Sequence, residues 1–159
     1  MTSKSTKILM GFAFAFGLFT LCASVVFYLI VFCVIPLFRE FSYYNFNGVL
    51  DLIDWSAILC NVLLFICYFI PFLVTLCSKN RRVCFVVSLI MLIIIFVYKV
   101  ANLVIISPLI QNFANGRLYS NLTDYYYTKT MHNFVVFPFQ TLAFMFFCVA
   151  FGTLCIKKD

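Results

Sequence analysis

Residues 83–107 read VCFVVSLIMLIIIFVYKVANLVIIS, twenty-five positions with a single charged side chain, Lys99. A helix rises about 1.5 Å per residue, so a run of about 20 apolar residues crosses the ~30 Å hydrocarbon core of a bilayer. No soluble core helix needs such a run, so this stretch reads as a membrane span. Working outward, three more runs follow the same rule: 8–38 with no formal charge, 55–77, and 134–156.

The composition agrees. The chain has 159 residues, 65% hydrophobic and 10% charged, against about 45–50% and about 25% in soluble domains. The 22 Phe and 9 Tyr exclude a disordered chain, which needs low hydrophobicity. Backbone N–H and C=O groups facing lipid must be paired within their own segment, so the four runs are expected to be helices. The sequence therefore predicts one four-pass domain over 1–159: an all-α integral membrane bundle of four transmembrane helices.

Basic residues set the orientation. Lys4, Lys7, Lys79, Arg81, Arg82, Lys157 and Lys158 flank the spans on one side, and Arg39, Arg117 and Lys129 on the other. By the positive-inside rule both termini and the short middle loop are expected to be cytoplasmic. The sequon Asn121-Leu122-Thr123 falls in the longer outer loop, which makes Asn121 a candidate glycosylation site. Small residues at Cys22, Ala23 and Ser24 resemble a signal cleavage site, but the apolar run continues fourteen residues beyond them, so an uncleaved first helix is expected. The full first run would be ~46 Å long as a helix, so it must tilt or project before Pro36.

Helices in lipid associate where small residues let backbones approach. Ala13, Gly17, Thr20 and Ser24 recur at i, i+4, i+7 and i+11 in the first run, and Thr141, Met145, Cys148, Gly152 and Cys155 repeat those offsets in the fourth. Both stripes are expected at interfaces, within the bundle or with a second protein. Asn61, Tyr68 and Thr75 recur every seven residues, and an amide in hydrocarbon calls for an interhelical hydrogen bond, so this face should turn inward. Pro71 frees the carbonyl of Cys67 and should kink the second helix.

Lys99, with Asn102 three residues on, is an intramembrane polar site without an acidic residue in any span. An isolated charge there costs about 2.5–3.5 kcal/mol or more. Two readings stay open. Lys99 is structural, snorkelling or paired with Asp54 at the outer mouth of the second helix, or it serves a ligand or ion.

The remaining features carry less chemistry. The eight cysteines lie in or beside apolar runs, without C-x-x-C spacing, and read as packing residues. Cys77, Cys84 and Cys155 adjoin basic residues and are candidate palmitoylation sites. Tyr-rich outer segments read as an aromatic belt or a protein-binding surface. His132, taken as part of an outer loop, has no evident catalytic partner, so neither an enzyme nor a bound cofactor or metal is expected. The basic residues form no stripe, which argues against nucleic acid.

The layout of short cytoplasmic ends, four spans, a short inner loop and a longer second outer loop resembles the tetraspan membrane-organising proteins, most of all the MARVEL-type group. The Cys-Cys-Gly of tetraspanins and the paired outer cysteines of claudins are missing. The resemblance implies lateral organisation of membranes or vesicle traffic. The expected function is a non-enzymatic protein that organises the bilayer or binds other membrane proteins or itself, at the plasma membrane or in the endomembranes of the secretory route. The alternative is a transporter or channel component, or its accessory subunit, with a polar path at Lys99 and Asn102.

Overall fold

A computed structural model describes the backbone of residues 3–30, 48–78, 80–101, 104 and 122–156, and of residues 48–57 and 122–130 it describes the backbone only. All elements among the described residues are helical: α1 (Lys4–Leu29), α2 (Gly48–Cys77), α3 (Arg81–Ala101) and α4 (Leu122–Cys155). Each is long and apolar enough to cross a membrane. Among the described residues the chain is an all-helical bundle of four candidate membrane-spanning helices.

The helices begin earlier than the apolar runs. α1 starts at Lys4 because Ser3 caps it, accepting from the Thr6 N–H at 3.1 Å. α3 starts at Arg81 because the Asn80 side chain accepts from the Arg82 N–H at 3.0 Å. α4 starts at Leu122, twelve residues before the apolar run at Phe134. His132 is therefore helical and buried, not part of a loop. The helix continues through the polar stretch because lipid is not required for a helix, only paired backbone. α2 runs continuously past Pro71, and α4 past Pro138. Residues 31–47, where the first run was expected to end, and Asn102 and Asn121 lie outside the described residues.

Each buried face follows a four-three spacing, the seam of closely packed helices. α1 buries Thr6, Met10, Ala13, Gly17, Thr20, Ser24 and Tyr28. α2 buries Asn61, Leu64, Tyr68, Pro71 and Thr75 along one line. α1 lies between α2 and α4 and makes its largest contact with α4, while α3 bridges α2 and α4 with the smallest contact to α4. The small residue at Gly17 brings α2 close: a Cβ there would sit 2.9 Å from Cδ2 of Tyr68, whose ring meets Phe147 of α4 edge-on at 5.6 Å. One glycine thus locks three helices.

The small-residue stripe expected in the fourth helix is not the face that packs within the bundle, and Thr141, Cys148 and Gly152 are half-buried. α4 buries His132, Val136, Ala143, Phe147, Ala150 and Leu154 instead, Met145 and Cys155 are exposed, and Gly152 has open space around it. This face mixes small Ala143 and Ala150 with Phe147, whose ring meets the Tyr68 ring that packs on Gly17.

One end of the bundle gathers the start of α1, the α2–α3 turn and the end of α4. Thr6 and Thr153 share a hydroxyl hydrogen bond at 2.7 Å. The Arg81 guanidinium donates to the carbonyls of Leu154, from Nη2 at 2.8 Å, and of Ile156, closing the last turn of α4.

The Gly17 contact is tested by thermal unfolding in detergent. Gly17→Leu is expected to lower stability by about 1–3 kcal/mol, since Tyr68 must move. Gly152→Ala, which meets no neighbour, is expected to be neutral or to gain up to about 1 kcal/mol from helix propensity.

Candidate functional site

Within this bundle the polar side chains of the spans converge. Lys99 Nζ on α3 donates to Gln140 Oε1 on α4 at 3.0 Å. Gln140 Nε2 donates to Asn61 Oδ1 on α2 at 2.8 Å. Asn61 Nδ2 donates to Ser24 Oγ on α1 at 2.9 Å, and Ser24 Oγ stands 2.9 Å from Nε2 of His132, back on α4. A single hydrogen-bonded chain joins all four helices.

Its direction follows from chemistry. An ammonium only donates, so Gln140 must turn its oxygen to Lys99 and its nitrogen to Asn61. Asn61 is then an acceptor on one side and a donor on the other, and Ser24 accepts from it with one lone pair. The Ser24 oxygen keeps both a hydrogen and a second lone pair, so its bond with Nε2 of His132 runs in either direction according to the imidazole tautomer.

Ser24 and His132 are fully or nearly buried, as is Asn61, whereas Gln140 is half-buried and Lys99 exposed. Phe27 and Tyr28 pack their rings on the imidazole, centroids 5.3 and 4.9 Å away. Satisfying buried amides in this way matters because an unpaired one costs about 1–3 kcal/mol. Ser24 and His132 have the separation of a nucleophile and its base. In this arrangement Ser24 has no exposed surface, and the Asn61 amide already occupies its oxygen.

Depth along the helices explains how Lys99 is held. Arg81 sits beside Leu154, Lys99 is eighteen residues above the first and Gln140 fourteen above the second, so their Cα atoms lie ~27 and ~21 Å from that end. The lysine therefore reaches back into the bilayer, along the Cα–Cβ lean of α3. Outward snorkelling is corrected to this inward reach, because an amide oxygen waits there. Gln140 is the partner of Lys99 among the described residues, and the side chain of Asp54 lies outside them.

Sequence reasoning passed over Gln140, although an amide inside an apolar run is the signal that singled out Asn61. It misplaced His132 for want of a helix start. Of the stripe Ala13, Gly17, Thr20 and Ser24, all four are buried in α1, and only Ser24 joins the polar chain. Thr20 instead bonds the Phe16 carbonyl of its own helix at 2.9 Å. Cys77 and Cys155 present exposed thiols, but Cys84 is buried with its thiol toward the Val74 carbonyl, because it shares a face with Ser88 and Ile95. A membrane-facing thiol for acylation is thus corrected for Cys84. Among the described residues no three His, Cys, Asp or Glu side chains come together as a metal site would need.

Comparison with protein-family models, curated proteins and solved structures gives no match.

The polar chain makes its members interdependent. Lys99→Met and Gln140→Leu are each expected to destabilise, and a double-mutant cycle read by thermal unfolding should give a coupling between about 0.5 and 3 kcal/mol. Lys99→Met combined with Thr153→Val, at the far end of the bundle, should add to within about 0.5 kcal/mol. Equal couplings for the two cycles would mean that the chain is not formed.

Proposed function

We propose that this protein is a non-enzymatic four-pass membrane protein that binds other membrane proteins in the plane of the bilayer, with both termini cytoplasmic. The observation that carries the reading is the internal hydrogen-bonded chain. It pairs Lys99, Gln140, Asn61, Ser24 and His132 with one another and leaves the outer surface of α3 exposed. Only 17% of the most apolar window of α3 is buried, against 33% in α2, so most of α3 is open to lipid or to another protein. The exposed position of Lys99 supports lateral binding over a polar path enclosed by one copy.

Orientation rests on charge. Lys4, Lys7, Arg81 and Arg82 belong to the end of the bundle that holds the start of α1 and the α2–α3 turn, and the positive-inside rule favours the cytoplasm for that end. The four-pass layout supports, as a finer reading, a role like that of MARVEL-type tetraspans in lateral organisation or vesicle traffic along the secretory route, including the plasma membrane.

Photo-crosslinking in native membranes tests the function. A crosslinker at exposed Val97 is expected to trap another membrane protein, and one at buried Ala13 only this chain. Absence of any adduct from the exposed positions of α3 would sink the proposal. Labelling of Ser24 by a fluorophosphonate probe would replace it with a hydrolase.

Topology is tested separately. In a host that glycosylates, Asn121→Gln is expected to abolish a glycosidase-sensitive mass shift, while a tag at Lys79 stays closed to impermeant reagents on intact cells. Labelling of that tag would invert the orientation.

A further inference from the structure

The net charge of the sequence sits at one end of the bundle. That end holds the start of α1, the α2–α3 turn and the end of α4, tied together by the Thr6 and Thr153 hydroxyls and by Arg81 on the carbonyls of Leu154 and Ile156. Seven of the eleven basic residues belong to these segments or adjoin them in sequence: Lys4, Lys7, Lys79, Arg81, Arg82, Lys157 and Lys158. Asp159 is the one acidic residue among them. The other four acidic residues, Glu40, Asp51, Asp54 and Asp124, balance the other four basic ones, Arg39, Lys99, Arg117 and Lys129, so the net +6 belongs to this end. Helix length fixes the separation. The backbone of Asp54 lies ~35 Å from Cys77 along α2 and that of Asp51 further still, while Asp124 is ~45 Å from Leu154 along α4. Glu40 follows Leu29, the far end of α1, in sequence.

The neighbours of these cations set their depth. Ile8, directly after Lys7, is 50% exposed, and Val83, directly after Arg82, is 45% exposed. Apolar side chains thus open outward one residue inside the cations, so the edge of the hydrocarbon runs there and the cations stand at the level of the headgroups. Lys4 and Arg82 are exposed at that level, whereas Arg81 is committed to the α4 carbonyls. Lipid phosphates and carboxylates are the anions present at this depth, and a soluble acidic protein or nucleic acid would have to displace them. Four to eight Lys and Arg gathered at the end of a span is the density that draws acidic lipid in. We propose that the Arg81 end of the bundle binds anionic phospholipids and selects them over zwitterionic ones, through Lys4, Lys7 and Arg82 together with Lys79, Lys157 and Lys158. A phosphatidylcholine headgroup has no net charge to offer this surface, and a phosphatidylserine headgroup has one negative charge.

The inference goes beyond the binding of membrane proteins and does not depend on it. The full chain is reconstituted in phosphatidylcholine bilayers with phosphatidylserine or phosphatidylcholine spin-labelled on an acyl chain, and the fraction of each label slowed at the protein surface is measured. Wild type is expected to hold phosphatidylserine about threefold more strongly than phosphatidylcholine at low salt. The ratio should fall toward equality at ~1 M salt, where charges are screened within about 3 Å. The triple variant Lys4→Gln/Lys7→Gln/Arg82→Gln should lose at least about half of the preference, and Lys4→Arg/Lys7→Arg/Arg82→Lys should keep it. Arg39→Gln/Lys129→Gln, which takes charge from the rest of the chain, should leave it unchanged. Equal association of the two lipids with wild type at low salt would overturn the proposal, and this arm and the salt series need no variant to fold. So would loss of the preference in Arg39→Gln/Lys129→Gln, or a full preference in the triple Gln variant. Release of the slowed phosphatidylserine label by soluble glycerophosphoserine would make the surface a site for free anions and not for lipid.

Discussion

A group that can only donate, bonded to a side-chain amide of a neighbouring helix, organises this bundle. Water would satisfy Lys99 in any direction, but hydrocarbon offers it nothing, so it takes the Gln140 oxygen. From that contact the orientation of two amides follows, each leaving the next a single role, down to the hydrogen bond that Ser24 accepts from Asn61. The chain crosses α3, α4, α2 and α1 before returning to α4, so it also fixes the rotation of every helix about its axis. Apolar packing alone tolerates sliding and rotation, because one branched aliphatic side chain replaces another. Directional bonds do not, and a bundle built so largely of Phe, Ile, Leu and Val depends on them for a unique arrangement.

The packing answers to the same bonds. α1 must approach α2 and α4 closely for Ser24 to stand between Asn61 and His132, and Gly17, two turns below, permits that approach by leaving space for Tyr68. Phe147 of α4 meets the same Tyr68 ring edge-on. The bulky partner and the small partner are complementary, and neither stripe is understandable alone.

This explains which parts could be read from the sequence. Span length and the inward faces of Asn61 and Gly17 were legible, because hydrocarbon thickness and the cost of an unpaired amide act on single segments. The packing face of α4 was not. Its small residues Gly152 and Cys155 look like an interface, yet the face is set by what α1 presents to it. His132 was lost because helices need paired backbone and not apolar side chains, so α4 extends well before Phe134. Gln140 as a hydrogen-bond partner of Lys99 was passed over because partners were sought among charges, and pairing depends on depth in two helices at once, which one segment does not reveal.

The pairing of α1 with α4 has a consequence for how the chain is made. Ser24 and Asn61 belong to the first two helices, but His132 and Gln140 lie in α4, which leaves the ribosome after the other three. Until then the first three spans hold an unfinished amide and an uncompensated lysine. Membrane quality control, which retains exposed intramembrane polar groups, has a natural time window in which to act on this protein. That window closes when α4 inserts and Arg81 closes its last turn. Removing α4 would thus do more than remove one helix, for it would leave Asn61 and Lys99 on the other three without the amide that joins them.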